Sequence, residues 1–105
     1  MIHKDINAQE FKKLLEDETF VLLDVRTPQE YNSGRFKGAS NIDFHHENFE
    51  DDLDKLDRNK KYLLYCRSGN RSKKAMFLMR DLGFIEVYNL ESGIVSCDDH
   101  SFIEK

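Results

Sequence analysis

The sequence has little of what disulfide-rich or metal-binding domains depend on. It contains two cysteines, one proline and no tryptophan in 105 residues. Cys66 and Cys97 are too few for a disulfide scaffold, and they lack the paired spacing of a zinc site. We therefore expect both to be free thiols.

Long apolar runs and an excess of basic charge are also missing. No stretch approaches the roughly 20 apolar residues of a membrane span, and residues 1–5 lack the apolar segment of a secretory signal. The 16 Lys and Arg against 20 Asp and Glu give a net charge of −4, which provides no general attraction for nucleic acid or an anionic membrane. We expect a cytoplasmic protein with neither of these partners, in which any anion site is local.

Signals for strands and helices alternate along the chain, and its length predicts a single domain over 1–105. Short apolar runs predict strands, and apolar residues at helical spacing predict helices. Strands are expected at 20–23, 39–42, 62–66 and 85–88, and helices after Asn7, from Pro28 to Gly34, over 45–56 and from residue 72 to Leu82. Thr27 and Glu30 have the spacing of a capping box for the second of these helices, and Gly93 predicts a turn. This alternation is typical of an α/β fold in which a mainly parallel sheet has helices on both faces.

One loop stands out because it follows a predicted central strand and precedes a helix. It runs Cys66-Arg67-Ser68-Gly69-Asn70-Arg71, with Ser72 next. Gly69 permits backbone angles that turn successive N–H groups inward, and the helix N-terminus adds partial positive charge. Together with the two arginines, these conditions lower the pKa of a thiol. The loop is thus a candidate site for a reactive cysteine or a bound anion, although a lone cysteine at a strand end is usually a small core residue.

Three blocks of sequence resemble the rhodanese, or sulfurtransferase, family. Residues 66–72 match its active loop C-R-x-G-x-R-S/T at every fixed position. Residues 24–42 match most of D-V-R-x-x-x-E-Y-x-x-G-H-I-x-G-A-x-N-I, with Arg35-Phe36 in place of His-Ile. Residues 83–94 match the late block G-F-x-x-V-Y-N-L-x-G-G-I apart from Ser92. Three ordered blocks are far more specific than any one motif.

The resemblance implies a rhodanese-like α/β domain that carries sulfur on a cysteine. Cys66 would attack the outer sulfur of a donor such as thiosulfate, giving a persulfide that a thiol or cyanide then discharges, with no metal or organic cofactor. The N–H groups from Arg67 to Ser72 would cradle the sulfur anion, and Arg67 and Arg71 would bind the donor or order the loop. The donor could be thiosulfate or a persulfide, and a protein or small thiol could be the acceptor.

Other interpretations stay open beside this one. Cysteine phosphatases place five residues between Cys and Arg, whereas this loop has four, so a smaller anion fits better; arsenate reduction has no support in the sequence. A non-enzymatic interaction module and a thiol redox protein using Cys66 with Cys97 are the two other classes. We expect Cys97 to pack in the core, because no basic or Gly-rich residues surround it.

Two further pairs of residues have a functional and a structural interpretation. Arg26 could approach Cys66 at the ends of the strands, but Asp24 and Arg26 more simply form a structural segment. The neighbouring His45 and His46 point to different sides of a helix, so a metal site there is disfavoured. The acidic run 50–52 is expected to face solvent, with Lys73-Lys74 near the active end of the sheet.

Overall fold

A computed structural model describes all 105 residues of the chain. In chain order the elements are β1 (Ile2–Ile6), α1 (Ala8–Leu15), β2 (Phe20–Asp24), α2 (Pro28–Asn32), β3 (Arg35–Phe36), β4 (Ser40–Asn41), α3 (Phe49–Asp54), β5 (Lys61–Tyr65), α4 (Asn70–Asp81), β6 (Glu86–Leu90), two 3-10 turns (Ile94–Ser96 and His100–Phe102) and β7 (Ile103–Glu104). The central sheet is parallel throughout, in the order β1-β6-β5-β2-β4. The predicted α/β architecture is confirmed.

Helices cover both faces of this sheet because alternate residues of each strand point to opposite sides. In β5, Tyr62 and Leu64 face the core formed with α3 and α4, whereas Leu63 and Tyr65 face the core formed with α1. All four side chains are at most 1% exposed. A continuous apolar run is the expected signature of such a strand, buried on both faces.

The structure differs from the predicted elements at both ends of the chain. Residues 2–6 form β1, an edge strand beside β6, which the sequence analysis did not assign. Near the other end, β7 pairs antiparallel with the two-residue β3. β1 and β7 are only partly buried, so their apolar pattern is weak and they depend on backbone pairing with distant partners.

The predicted helix over 45–56 is also too long. The helix begins only at Phe49, and the preceding residues form turns, since the Asp43 carboxylate accepts a hydrogen bond from the His45 N–H at 2.9 Å. Such side-chain bonds to the backbone compete with helix formation. Phe49 and Leu53 still pack into the core, as their spacing predicted. None of the helices has the length and apolar character that a bilayer crossing requires.

Candidate functional site

Cys66 follows β5 directly, and α4 begins only four residues later. Gly69 occupies the N-cap position of that helix with φ +96°, in the left-handed region that favours glycine. The predicted loop of six residues is therefore shorter, because Asn70 and Arg71 already belong to the first turn of α4. The chain reverses direction within Cys66–Gly69, which brings the first turn of the helix back over the sulfur.

The Cys66 sulfur lies inside this turn. It accepts hydrogen bonds from the Gly69 N–H at 3.1 Å and from the Ser72 hydroxyl at 3.4 Å. Burial of Cys66, which is 1% exposed, opposes ionisation. The bonds from the Ser72 side chain and from the N–H groups of Ser72, Ser68 and Gly69 outweigh it, so the pKa of Cys66 is lowered from its ordinary value.

Several N–H groups around the sulfur have no other partner in the protein. Those of Arg67, Asn70 and Arg71 donate to no protein atom, and those of Ser68 and Ser72 interact with the sulfur alone. Asn70, Arg71 and Ser72 belong to the first turn of α4, where no intrahelical acceptor exists. None of the surface cavities is lined by Cys66. The loop therefore offers a compact set of donors to a small anion.

A second turn, not assigned to the site from the sequence, supports this loop from the side. The Ile94 N–H donates to the Cys66 carbonyl at 3.0 Å, and the Val95 N–H donates to the Arg67 carbonyl at 3.2 Å. A Cβ on Gly93 would lie 2.1 Å from the Arg67 carbonyl oxygen. The sequence shows Gly93 only as a turn and as part of the late block. Its contact with the loop joins residues that are far apart in the chain, so no local pattern reveals it.

Arg71 and Arg67 have different surroundings. Arg71 forms a two-bond ion pair with the Glu30 carboxylate, at 2.8 and 3.0 Å. The Arg71 side chain, together with the bond from the Thr27 N–H, lowers the pKa of Glu30 to about 2. Arg67, in contrast, is exposed and its side chain makes no hydrogen bond or ion pair. Glu30 thus ties α2 to the loop, although the sequence indicated only its role in the capping box with Thr27, which is confirmed.

The Glu30–Arg71 pair makes stability depend on pH. Because the pKa of Glu30 is below its usual 4.5, the stabilisation is complete above about pH 4.5 and is lost as the pH falls towards 2. We expect Glu30→Gln to lower the free energy of unfolding by about 2 kcal/mol at pH 7 and by about half of that at pH 3. Urea unfolding at both pH values measures this, with exposed Glu18→Gln as control; an equal loss at both would contradict the assignment.

Asp24 and Arg26 form a buried ion pair at the end of β2. The guanidinium donates to the Asp24 carboxylate at 2.6 Å and to the Gly34 carbonyl at 2.7 Å. Asp24 is 0% and Arg26 is 6% exposed. The hydrogen bonds of the Arg26 side chain all go to these two residues and none to Cys66. The pair joins β2 to the turn that follows α2, beside the loop that carries the sulfur.

The side chains of the remaining residues singled out in the sequence make no hydrogen bond to the sulfur, although Lys73 lies in the first turn of α4, near the active end of the sheet as expected. Cys97 is half-buried and packs against the α1 core, on the face of the sheet opposite to the core that contains Cys66. A disulfide needs Cβ atoms about 4 Å apart, so this placement disfavours pairing of the two thiols. His46 bonds to Asp52 at 2.8 Å, and no group of His, Cys, Asp and Glu forms a metal-binding set. Lys73 pairs with Asp5 at 3.1 Å.

Fold and site together define an α/β domain with one cysteine cradled by N–H donors at a helix N-terminus. A family model described as a rhodanese-like domain matches residues 7–99. The chain belongs to this family.

Solved structures and curated sequences agree with this membership. A rhodanese-like domain protein from Staphylococcus aureus has a TM-score of 0.82 and 29% identity, covering 96% of both chains. The human single-domain sulfurtransferase shares the fold, with 24% identity and a TM-score of 0.77 over 87% of this chain and 91% of its own.

Among curated sequences, a tRNA uridine(34) hydroxylase from Cytophaga hutchinsonii is 40% identical over 98 residues, 88% of this chain. Another from Legionella pneumophila, strain Corby, is 36% identical over 97 residues, 87% of this chain. The chain spans only 30% and 37% of the lengths of those two relatives.

Proposed function

We propose that the domain is a rhodanese-type sulfurtransferase that carries sulfur as a persulfide on Cys66. The donor is thiosulfate or a persulfide, and the acceptor is a thiol or another thiophilic group. The observation that carries this proposal is the Cys66 sulfur itself, hydrogen-bonded by the Gly69 N–H at 3.1 Å and close to the N–H groups of Asn70 and Arg71, which have no acceptor in the protein. An anion is the species that such donors bind best.

In the loading step the Cys66 thiolate attacks the outer sulfur of thiosulfate. A new S–S bond forms to Cys66, the S–S bond of the donor breaks, and its electron pair leaves with sulfite. The negative charge of the enzyme moves outward by one atom, to the terminal sulfur of the persulfide. The N–H groups from Ser68 to Ser72 have no partner other than the Cys66 sulfur and are already in place for that charge, so little reorganisation accompanies the step.

In the transfer step an acceptor thiolate or cyanide attacks the terminal sulfur. The bond to Cys66 breaks, and the electron pair returns to Cys66 as a thiolate. Because Cys66 is 1% exposed, the outer sulfur is the atom that an acceptor reaches. The lowered pKa of Cys66 makes it a better leaving group here, just as it makes the thiolate available in the first step.

The two arginines have separate roles in this proposal. Arg67 is exposed and unpaired, so we assign it to attract the anionic donor. Arg71 is held by Glu30 through two hydrogen bonds, so we assign it to fix the loop and to stabilise the thiolate from beside it. Asp24 and Arg26 keep a structural role, because they use their charges on each other.

The tRNA uridine(34) hydroxylase from Cytophaga hutchinsonii is about three times as long as this chain. The match to it covers 88% of this chain but only 30% of that relative. We therefore assign to this domain only the sulfur chemistry that its own residues support.

Turnover of thiosulfate with cyanide tests the proposal. We expect the wild-type chain and Cys97→Ser to form thiocyanate at similar rates, and Cys66→Ser to lose at least about a thousandfold, since a hydroxyl is a far weaker nucleophile and sulfur carrier. The paired variants separate the two thiols in one assay. Equal turnover by Cys66→Ser, or equal loss in both variants, would remove Cys66 from the role given to it.

A further inference from the structure

Asn89 is a polar side chain buried directly beneath the active loop. It lies in β6, where it is in register with Asp5 of β1 and with Leu64 of β5, and it is 1% exposed. Its Nδ2 donates to the Asp5 carboxylate at 2.9 Å and to the Gly69 carbonyl at 3.3 Å. The amide therefore connects the sheet with the residue whose N–H contacts the Cys66 sulfur.

Two N–H donors hold the Gly69 carbonyl. They are the Lys73 N–H of α4 at 3.0 Å and the Asn89 amide at 3.3 Å, while the single proton of the Ser72 hydroxyl, 3.3 Å from the same carbonyl, is shared with the Cys66 sulfur. In a trans peptide the C=O and the next N–H point in opposite directions. Fixing the Gly69 carbonyl therefore also fixes the direction of the Asn70 N–H, one of the donors of the loop that has no acceptor in the protein.

Asp5 fixes the orientation of the amide. Its carboxylate accepts from Asn89 on one oxygen and pairs with Lys73 on the other. Because both partners of Nδ2 are acceptors, the amide has one possible orientation, and its Oδ1 is left buried without a donor. An unpaired buried carbonyl lowers stability, so an apolar residue of similar shape would suit packing better than asparagine does.

We propose that Asn89 is a positioning residue for sulfur transfer, holding the Gly69–Asn70 peptide so that the loop N–H groups meet the sulfur of Cys66. It touches neither the sulfur nor the substrate and acts through the Gly69 carbonyl. This inference rests on the proposed function for its consequence, the rate of sulfur loading. Its structural part concerns the Cys66 thiolate alone and can be measured without any sulfur donor.

The test uses Asn89→Leu, which keeps the approximate shape and removes the donor. In a Cys97→Ser background, iodoacetamide reacts only with Cys66, and the pH dependence of that reaction gives the pKa of Cys66. We expect the pKa to rise and loading from thiosulfate to slow about tenfold, less than the hundredfold or more typical when a donor to the reacting atom is lost. Asn41→Leu is the matched control, because Asn41 also donates to two carbonyls, of Asp24 and Arg26, at 3.0 and 2.9 Å.

A second pair of variants decides the matter if Asn89→Leu does not fold. Asp5→Ala frees the amide to turn, whereas Asp5→Asn keeps an acceptor for it while losing the ion pair to Lys73. We expect Asp5→Ala to raise the pKa of Cys66 and Asp5→Asn to restore it. An unchanged alkylation profile in Asp5→Ala, or an equal shift in Asp5→Asn or in Asn41→Leu, overturns the proposal. Failure of the wild-type chain to load sulfur would instead contradict the proposed function and leave the alkylation result valid.

Discussion

Replacement of Gly69 by alanine is expected to destabilise the domain and to disable the loop together. A Cβ on Gly69 would lie 1.9 Å from the Glu91 carbonyl oxygen, and the residue has φ +96°. Strain at positive φ and the forced separation of two backbone segments each cost about 1–3 kcal/mol, so we expect a loss of about 3 kcal/mol in the free energy of unfolding. Sulfur transfer should fall at least about a hundredfold, because the Gly69 N–H moves away from Cys66.

Gly83→Ala is the control that separates the two causes. Gly83 has a similar φ of +93°, but a Cβ there meets nothing within 4 Å. Alanine at this position carries the backbone strain without the clash, and we expect a loss of about 1 kcal/mol with full activity. Urea unfolding and thiocyanate formation measure the two quantities. Equal behaviour of the two variants would show that the contact between Gly69 and Glu91 is unimportant.

Removal of the Asp24 carboxylate is expected to give the second large effect. Arg26 is 6% exposed, and Asp24 is the only carboxylate with which it forms an ion pair. Because Asp24→Ala leaves a buried charge uncompensated, we expect a loss of about 3–5 kcal/mol in the free energy of unfolding. Asp17→Ala, at an exposed pair with Lys61, is the control and should change the free energy of unfolding far less, because solvent screens exposed ion pairs.

The double variant Asp24→Leu with Arg26→Met tests the same explanation from the other side. Replacing both members of a buried ion pair by apolar groups is often close to neutral. We therefore expect the double variant to recover most of the stability lost in Asp24→Ala, as measured by urea unfolding. A double variant as unstable as the single one would mean that the individual hydrogen bonds, such as that from Arg26 to Gly34, matter more than the balance of charge.

Local sequence signals predicted the centre of the molecule well. The apolar pair Leu63-Leu64 marked the central strand, and the Thr27–Glu30 capping box marked the start of α2. Gly69 was recognised from the need for a turn between a buried strand and a helix, and its φ is positive as expected. Each of these features depends on residues within a few positions of one another, which is why periodicity and turn chemistry reveal them.

The supports of the site depend on contacts between distant residues. Glu30 and Arg71 are 41 positions apart, and Asn89 is 20 positions from Gly69. Gly93 reaches the Arg67 carbonyl from a different turn altogether. The sequence shows these residues only as parts of motifs, because a motif records which residues occur together and says nothing about which atoms touch.

The most direct test of the central claim is the mass of the intact chain after incubation with excess thiosulfate under non-reducing conditions. We predict a gain of one sulfur atom, located on Cys66 by peptide mapping and removed by cyanide, with Cys97→Ser loading like the wild type. A chain that gains no sulfur from either thiosulfate or a persulfide donor, or that gains it on Cys97, would contradict the assignment of Cys66 as the sulfur carrier.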